Sequence, residues 1–249
     1  MELPACLFGT HVVRYLDDVK RDLCGFLMGF FQILRSVEDL LYQVMTWLVF
    51  YPRTLWQVIR HPVRMIDYSD REQGDAPDQQ YIDTLSPPLF LMLTILISHG
   101  IELALQTRID TPKAGVGKLL LDSEENLLML RSILFSIYPL TFAVGLLKRS
   151  DRQLDRNTLR EPFFSQCYLG ALLAFLVSVA TIISRAKFPD AQWIGAIIAV
   201  AVTIWFVWVQ SKWFAQHLKI ARFRATMIAI RTFVKASIIN SAIASLFFV

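Results

Sequence analysis

His99 and Glu102 stand three residues apart inside one apolar block, and Arg131 lies inside the next. Three residues apart on a helix means one shared face. Ionisable groups within a hydrocarbon layer are costly and mark a site by default. By the spans assigned below, Glu102 and Arg131 each lie about five residues, or roughly 7 Å, inside the same membrane boundary. That depth predicts a Glu102–Arg131 ion pair. With His99, whose imidazole titrates near neutral pH, the trio would serve a proton or anion pathway. A structural pair that fixes helix contacts is the alternative.

Other residues add weaker signals. Pro139, after Tyr138, would free the carbonyl of Phe135 and kink its helix, as in transporters whose broken helices hold substrate. A kinked packing helix is the plainer reading. Arg53, Arg60 and Arg64 flank Trp56 on one amphipathic segment, and Arg231 and Lys235 are one turn apart in the last span. A cation near an anionic leaflet is worth about 1 kcal/mol, so these residues are candidates for lipid or partner contact. No GxGxxG, Walker, HExxH or GxSxG pattern is present, and His99-x-x-Glu102 lacks a nucleophile or further ligands. The sequence points to no enzyme, no metal and no cofactor. Asp70, Glu72, Asp75 and Asp78 lack the glycine position of a calcium loop.

The elements that must hold these residues follow from composition. The chain has 249 residues, 55% of them hydrophobic and 18% charged, with a mean hydropathy of +0.45. Its apolar residues gather in blocks about as long as a bilayer is thick. The predicted fold is an all-α integral membrane protein with five transmembrane helices, at about 86–106, 126–147, 162–184, 193–213 and 226–249. Trp193 and Trp213, twenty residues apart, read as anchors at opposite interfaces. Small residues four apart (Gly170, Ala174 and Ser178; Gly195 and Ala199; Ser241 and Ser245) mark close helix contacts. Trp205 and Trp208 read as facing lipid or a partner helix. Cys6, Cys24 and Cys167 are too scattered for a disulfide framework and read as free thiols.

Residues 1–68 read as amphipathic interfacial or partner-binding helices. Val12, Leu16, Val19, Leu23, Phe26, Phe30 and Ile33 form one stripe. A second helix, from a Ser36–Asp39 capping box, is expected to stop near Pro52; a spanning or re-entrant Leu40–Tyr51 is the alternative. Pro62 should divide the basic segment that follows, and residues 69–85 read as a solvated acidic linker. Lysine and arginine number eight before Ser86, five after span two and four from Lys212 at the end of span four to Arg224, against three and two in the alternate loops. The positive-inside rule then puts the N-terminus in the cytoplasm and the C-terminus outside, as in a bacterial inner membrane. The start lacks the basic and apolar regions of a secretory signal. The net charge of +4 is broken up by spans and does not make a nucleic-acid footprint.

Tyr51-Pro52-Arg53, Leu55, Ile59 and His61-Pro62 precede the first span, Pro87-Pro88 opens it, and Tyr138-Pro139 lies in the second. With five closely spaced spans after a cytoplasmic N-terminal region, this plan resembles the Yip1-like family of small membrane proteins. The resemblance implies a scaffold or trafficking-type partner in eukaryotes and, in bacteria, proteins called permease-like. It supplies no catalytic residues. Together these signals favour a non-enzymatic subunit or scaffold of a membrane complex, partnered by lipids and by other subunits or its own copies. The rival expectations are a small transporter or channel using His99, Glu102 and Arg131, and an accessory to envelope lipid or polysaccharide export.

Overall fold

A computed structural model describes the backbone of residues 7–76, 79–106, 123–150 and 152–248, and the side chains of residues 28, 31–76, 79–106, 123–150 and 152–245. The protein is all-helical, with seven helices among the described residues: α1 (Leu7–Arg60), α2 (Pro62–Glu72), α3 (Pro87–Ala104), α4 (Glu124–Leu147), α5 (Arg156–Ser184), α6 (Ala191–Leu218) and α7 (Arg222–Phe248). The last five are long and apolar enough to cross a membrane. It is a multi-pass membrane protein. Residues 1–49 and 50–249 form two separate compact units.

Within the second unit α5 is the hub, packing against α2, α3, α4 and α6, while α7 lies on α4 and α6. Burial follows this order: 56% of the apolar window of α5 is buried, against 17% for α7. Short links join α4 to α5, α5 to α6 and α6 to α7, so those neighbours run antiparallel. Lys219, at the end of α6, takes the left-handed conformation (φ 52°), which turns the chain into α7 within three residues.

Two helix boundaries differ from the sequence expectation, one for a local reason and one for a tertiary one. α5 begins at Arg156 rather than Pro162, because the Asp155 side chain and Thr158 form a reciprocal capping box. α1 runs through Pro52 as one helix of 54 residues, where a stop near Pro52 was expected. An interior proline costs about 3 kcal/mol, but here the turn is docked on both sides of it. Tyr51 donates to Thr94 Oγ1 (3.3 Å) and stacks near Phe90 (5.4 Å), and Thr54 Oγ1 accepts the Leu85 N–H (3.2 Å). The break does come at His61, ahead of Pro62.

The stretch read as a solvated linker is exposed at Gly74, Asp75, Ala76 and Gln79 but docks on the bundle at its two ends. Ser69, Tyr81, Thr84 and Leu85 are buried. Tyr81 takes a left-handed φ of 57°; its phenol meets Ser69 Oγ at 3.0 Å and accepts from Gln73 Nε2 at 2.7 Å. The Tyr81 N–H is accepted by Glu72. Burial pushes the Tyr81 phenol above its ordinary pKa, so it is a neutral donor at physiological pH. Tyr168, from α5, completes the closure by donating to the Leu85 carbonyl at 2.8 Å.

Close helix contacts fall at some of the small residues and not at others. A Cβ on Gly170 would lie 2.6 Å from Pro139 Cγ, and one on Gly195 would overlap Ser184. Ser241 and Ser245 are exposed. The buried small stripe of α7 is Ala225, Ala229, Thr232 and Ala236, because that is the part of α7 beside α4 and α6. Trp213 also departs from expectation: Trp193 is 72% exposed, as an interfacial anchor would be, but Trp213 is fully buried in the aromatic core with Phe206 and Phe214. Trp208 is exposed, under the Lys212 ammonium at 3.5 Å.

Adding a methyl at Gly170 should therefore lower stability by about 1–3 kcal/mol through overpacking against Pro139. At Gly100 a Cβ meets nothing within 4 Å, and Gly100→Ala should be neutral or gain about 0.5–1 kcal/mol. Thermal unfolding of the two variants in nanodiscs checks the contrast. Equal melting temperatures would contradict the close approach.

Candidate functional site: a buried charge chain between α3 and α4

The last turns of α3 carry His99 and Glu102 on one face, and the first two turns of α4 carry Glu124 and Arg131, seven residues apart and so on one face as well. The two faces meet. Arg131 Nη2 lies 2.6 Å from Glu102 Oε2, its Nη1 lies 3.3 Å from His99 Nδ1, and His99 Nε2 lies 3.0 Å from Glu124 Oε2. His99, Glu102 and Arg131 are 4%, 4% and 9% exposed, whereas the Glu124 side chain is 45% exposed. A continuous chain of polar contacts therefore runs from a wet carboxylate to a dry one.

Hydrogen-bond chemistry assigns the imidazole tautomer. A guanidinium has only donors, so His99 Nδ1 must accept from Arg131 and carries no proton. Nε2–H then donates to the Glu124 carboxylate, so the imidazole bridges a guanidinium and a carboxylate. The arrangement clamps α3 to α4 and connects the Glu124 carboxylate to Glu102 through His99 and Arg131. The expected Glu102–Arg131 pair is present with His99 beside it. Glu124 was missed because span two was expected to begin at Asn126; its place seven residues before Arg131 is the signal that would have found it.

Two further polar constellations lie elsewhere. At the other end of α4, a cavity of about 130 Å³ is lined by Asp70, Arg152, Glu161, Trp213 and His217, among others. His217 Nε2 lies 3.1 Å from Asp70 Oδ2, and its Nδ1 lies 3.0 Å from the Trp213 carbonyl. Both partners are acceptors, so satisfying both contacts requires both ring N–H groups, the charged imidazole. The Trp213 indole N–H, buried beside it, has no partner among the described residues. Between α5 and α6, Gln210 Nε2 donates to Gln166 Oε1, which leaves the second half of each buried amide unpartnered. Sequence spacing could not join these residues, since Asp70 and His217 are 147 positions apart.

Pro139 lies inside α4, buried against Gly170, and serves a tight helix contact there. Arg53, Trp56, Arg60 and Arg64 share the exposed face of α1 and α2, opposite buried Thr54, Val58 and Met65, with the Arg60 guanidinium 5.7 Å over the Trp56 ring. Arg231 and Lys235 are exposed one turn apart on α7. Cys167 is a buried free thiol. The expectations placed on Cys6, on the Cys24 and Leu23 side chains, and on Arg108, Lys113 and Lys118 lie outside the described residues.

Removing one member of a buried ion pair typically costs about 3–5 kcal/mol. Glu102→Gln and Arg131→Gln should each cost on that order, and the double variant clearly less than their sum. A double-mutant cycle on thermal unfolding reads this coupling; strict additivity would contradict the clamp. No family model, curated protein or solved structure matches this chain.

Proposed function

We propose that this chain is a non-enzymatic subunit or scaffold of a membrane protein complex, anchored by the five-helix bundle and engaging its partner through α1. One observation carries the reading. From residue 28 to residue 49 none of the described side chains is buried, yet Ile33, Leu34, Val37, Leu40, Leu41, Val44 and Leu48 form an apolar arc opposite Gln32, Asp39, Gln43 and Thr46. Seven large apolar side chains on one face are a binding surface rather than a tolerated exposure. This stretch falls within a unit of its own, as a partner-binding arm would.

The basic face after it supports a membrane-surface location. Arg53, Arg60 and Arg64 with Trp56 would lie along anionic headgroups of the cytoplasmic leaflet, and Arg231 and Lys235 would reach phosphates from α7. The distribution of lysine and arginine supports a cytoplasmic N-terminus, as expected for a bacterial inner-membrane protein. The Yip1-like resemblance points the same way, toward a scaffold.

The charge chain favours a second reading, a small transporter or channel, because it links exposed Glu124 to buried Glu102. The two readings part on one comparison. Extraction directly into nanodiscs followed by mass spectrometry should recover a stoichiometric protein assembly, and Leu34→Asp with Leu41→Asp should dissolve it while the bundle still melts cooperatively. Glu102→Gln should leave that assembly intact. A lone chain carrying a lipid or small molecule, with transport abolished by Glu102→Gln, would overturn the scaffold reading.

A further inference from the structure

The apolar residues of α1 repeat with a period that identifies what covers them. In the sequence, the pairs Val12-Val13, Val19-Lys20, Phe26-Leu27, Ile33-Leu34, Leu40-Leu41 and Trp47-Leu48 recur every seven residues. Between them, also every seven, come Leu16, Leu23, Phe30, Val37 and Val44. In heptad letters these are the g, a and d positions, and Lys20 is the one polar residue among all seventeen. The opposite f position reads Asp18, Gly25, Gln32, Asp39 and Thr46, with no large apolar residue. α1 is continuous across the whole repeat.

A strict seven-residue repeat separates a helical partner from a flat membrane surface. A straight helix drifts about 20° per heptad against such a repeat. Over five heptads the stripe would turn about 100°, so a face lying on the headgroups near Val12 would point well away from them by Leu48. Supercoiling about another helix removes that drift, and a helical partner is what the period requires.

We propose that α1 pairs in parallel with the α1 helices of further copies of this chain, forming a coiled coil of more than two strands. This rests on the scaffold reading and names the partner. Four features select a second copy. The seam is a complete repeat in a single chain, so it is self-complementary without a second sequence. Most of its charges are balanced within each helix, since Arg14 and Asp18, Asp17 and Arg21, and Arg35 and Asp39 all stand at i, i+4, which leaves Lys20 as the one charge that like strands bring together in the seam. Leucine at successive a positions (Leu27, Leu34, Leu41, Leu48) with β-branched Val37 and Val44 at d follows the pattern that shifts coils from dimers to trimers or tetramers. The apolar g position widens the stripe enough for each helix to touch two neighbours. Every copy carries the same spans after α1 and inserts in one orientation, which makes the strands parallel.

In the described part of the repeat the seam is open, with Leu34, Leu41 and Leu48 exposed by 47%, 58% and 71%. Single cysteines introduced into the full chain, with Cys6, Cys24 and Cys167 replaced by serine, test the arrangement in native membranes under mild oxidation. Leu34→Cys and Leu41→Cys should each give a chain-to-chain disulfide, at least fivefold more than Asp39→Cys or Thr46→Cys on the outer face. Mass spectrometry of the unmodified chain in nanodiscs should show three or more copies, falling to one in Leu34→Asp/Leu41→Asp. Thermal melting of that variant separates lost assembly from lost folding. Equal cross-linking on both faces, or oligomers that survive the double aspartate, would overturn the proposal. A stoichiometric foreign protein with a single copy of this chain would also overturn it while leaving the scaffold reading standing. A lone chain would end both.

Discussion

A charge inside an apolar bundle persists only where a partner of opposite sign meets it, and that requirement organises the upper half of the α3–α4 contact. Arg131 has two neighbours within hydrogen-bonding distance, Glu102 at 2.6 Å and His99 at 3.3 Å, and displacing any of the three breaks at least one buried polar contact. The clamp ties the end of α3 to the start of α4 and brings Glu124 onto the outer side of His99. At the other end of α4, His217 sits between two acceptors, the Asp70 carboxylate and the Trp213 carbonyl. The two imidazoles thus face different groups, a guanidinium and a carboxylate in one case and two acceptors in the other.

The hub role of α5 has a different origin. Helix association in lipid gains little from the hydrophobic effect and depends on close packing and polar contacts. α5 supplies both. Gly170 admits Pro139 of α4, Ser184 and Ala180 receive Gly195 of α6, Tyr168 reaches the Leu85 carbonyl, and Gln166 meets Gln210. Pro139 therefore has a packing explanation that needs no ligand: the ring fills the space that a glycine leaves on the facing helix.

α1 obeys a third rule. Its heptad stripe recurs every seven residues, while Met28, Phe31, Tyr42 and Val49 add exposed apolar side chains off that stripe. A 20-residue apolar block is satisfied by lipid, whereas a heptad stripe flanked by aspartate and arginine is satisfied by another helix.

Five spans, their order and the depth match of Glu102 and Arg131 were legible from the sequence alone, because hydropathy and helical rise act over contiguous windows of about twenty residues. The break at Pro62 and the close contacts at Gly170 and Gly195 were legible for the same local reason. Tertiary contact decided the rest. Pro52 is carried inside a helix because Tyr51 and Thr54 dock on residues more than thirty positions away, and the acidic stretch closes because Tyr81 finds Ser69 and Gln73. Trp213 is core rather than anchor, and Asp70 meets His217 across the chain. Burial and pairing are properties of which faces meet, and helix faces are chosen by packing among elements distant in sequence, which no local window contains.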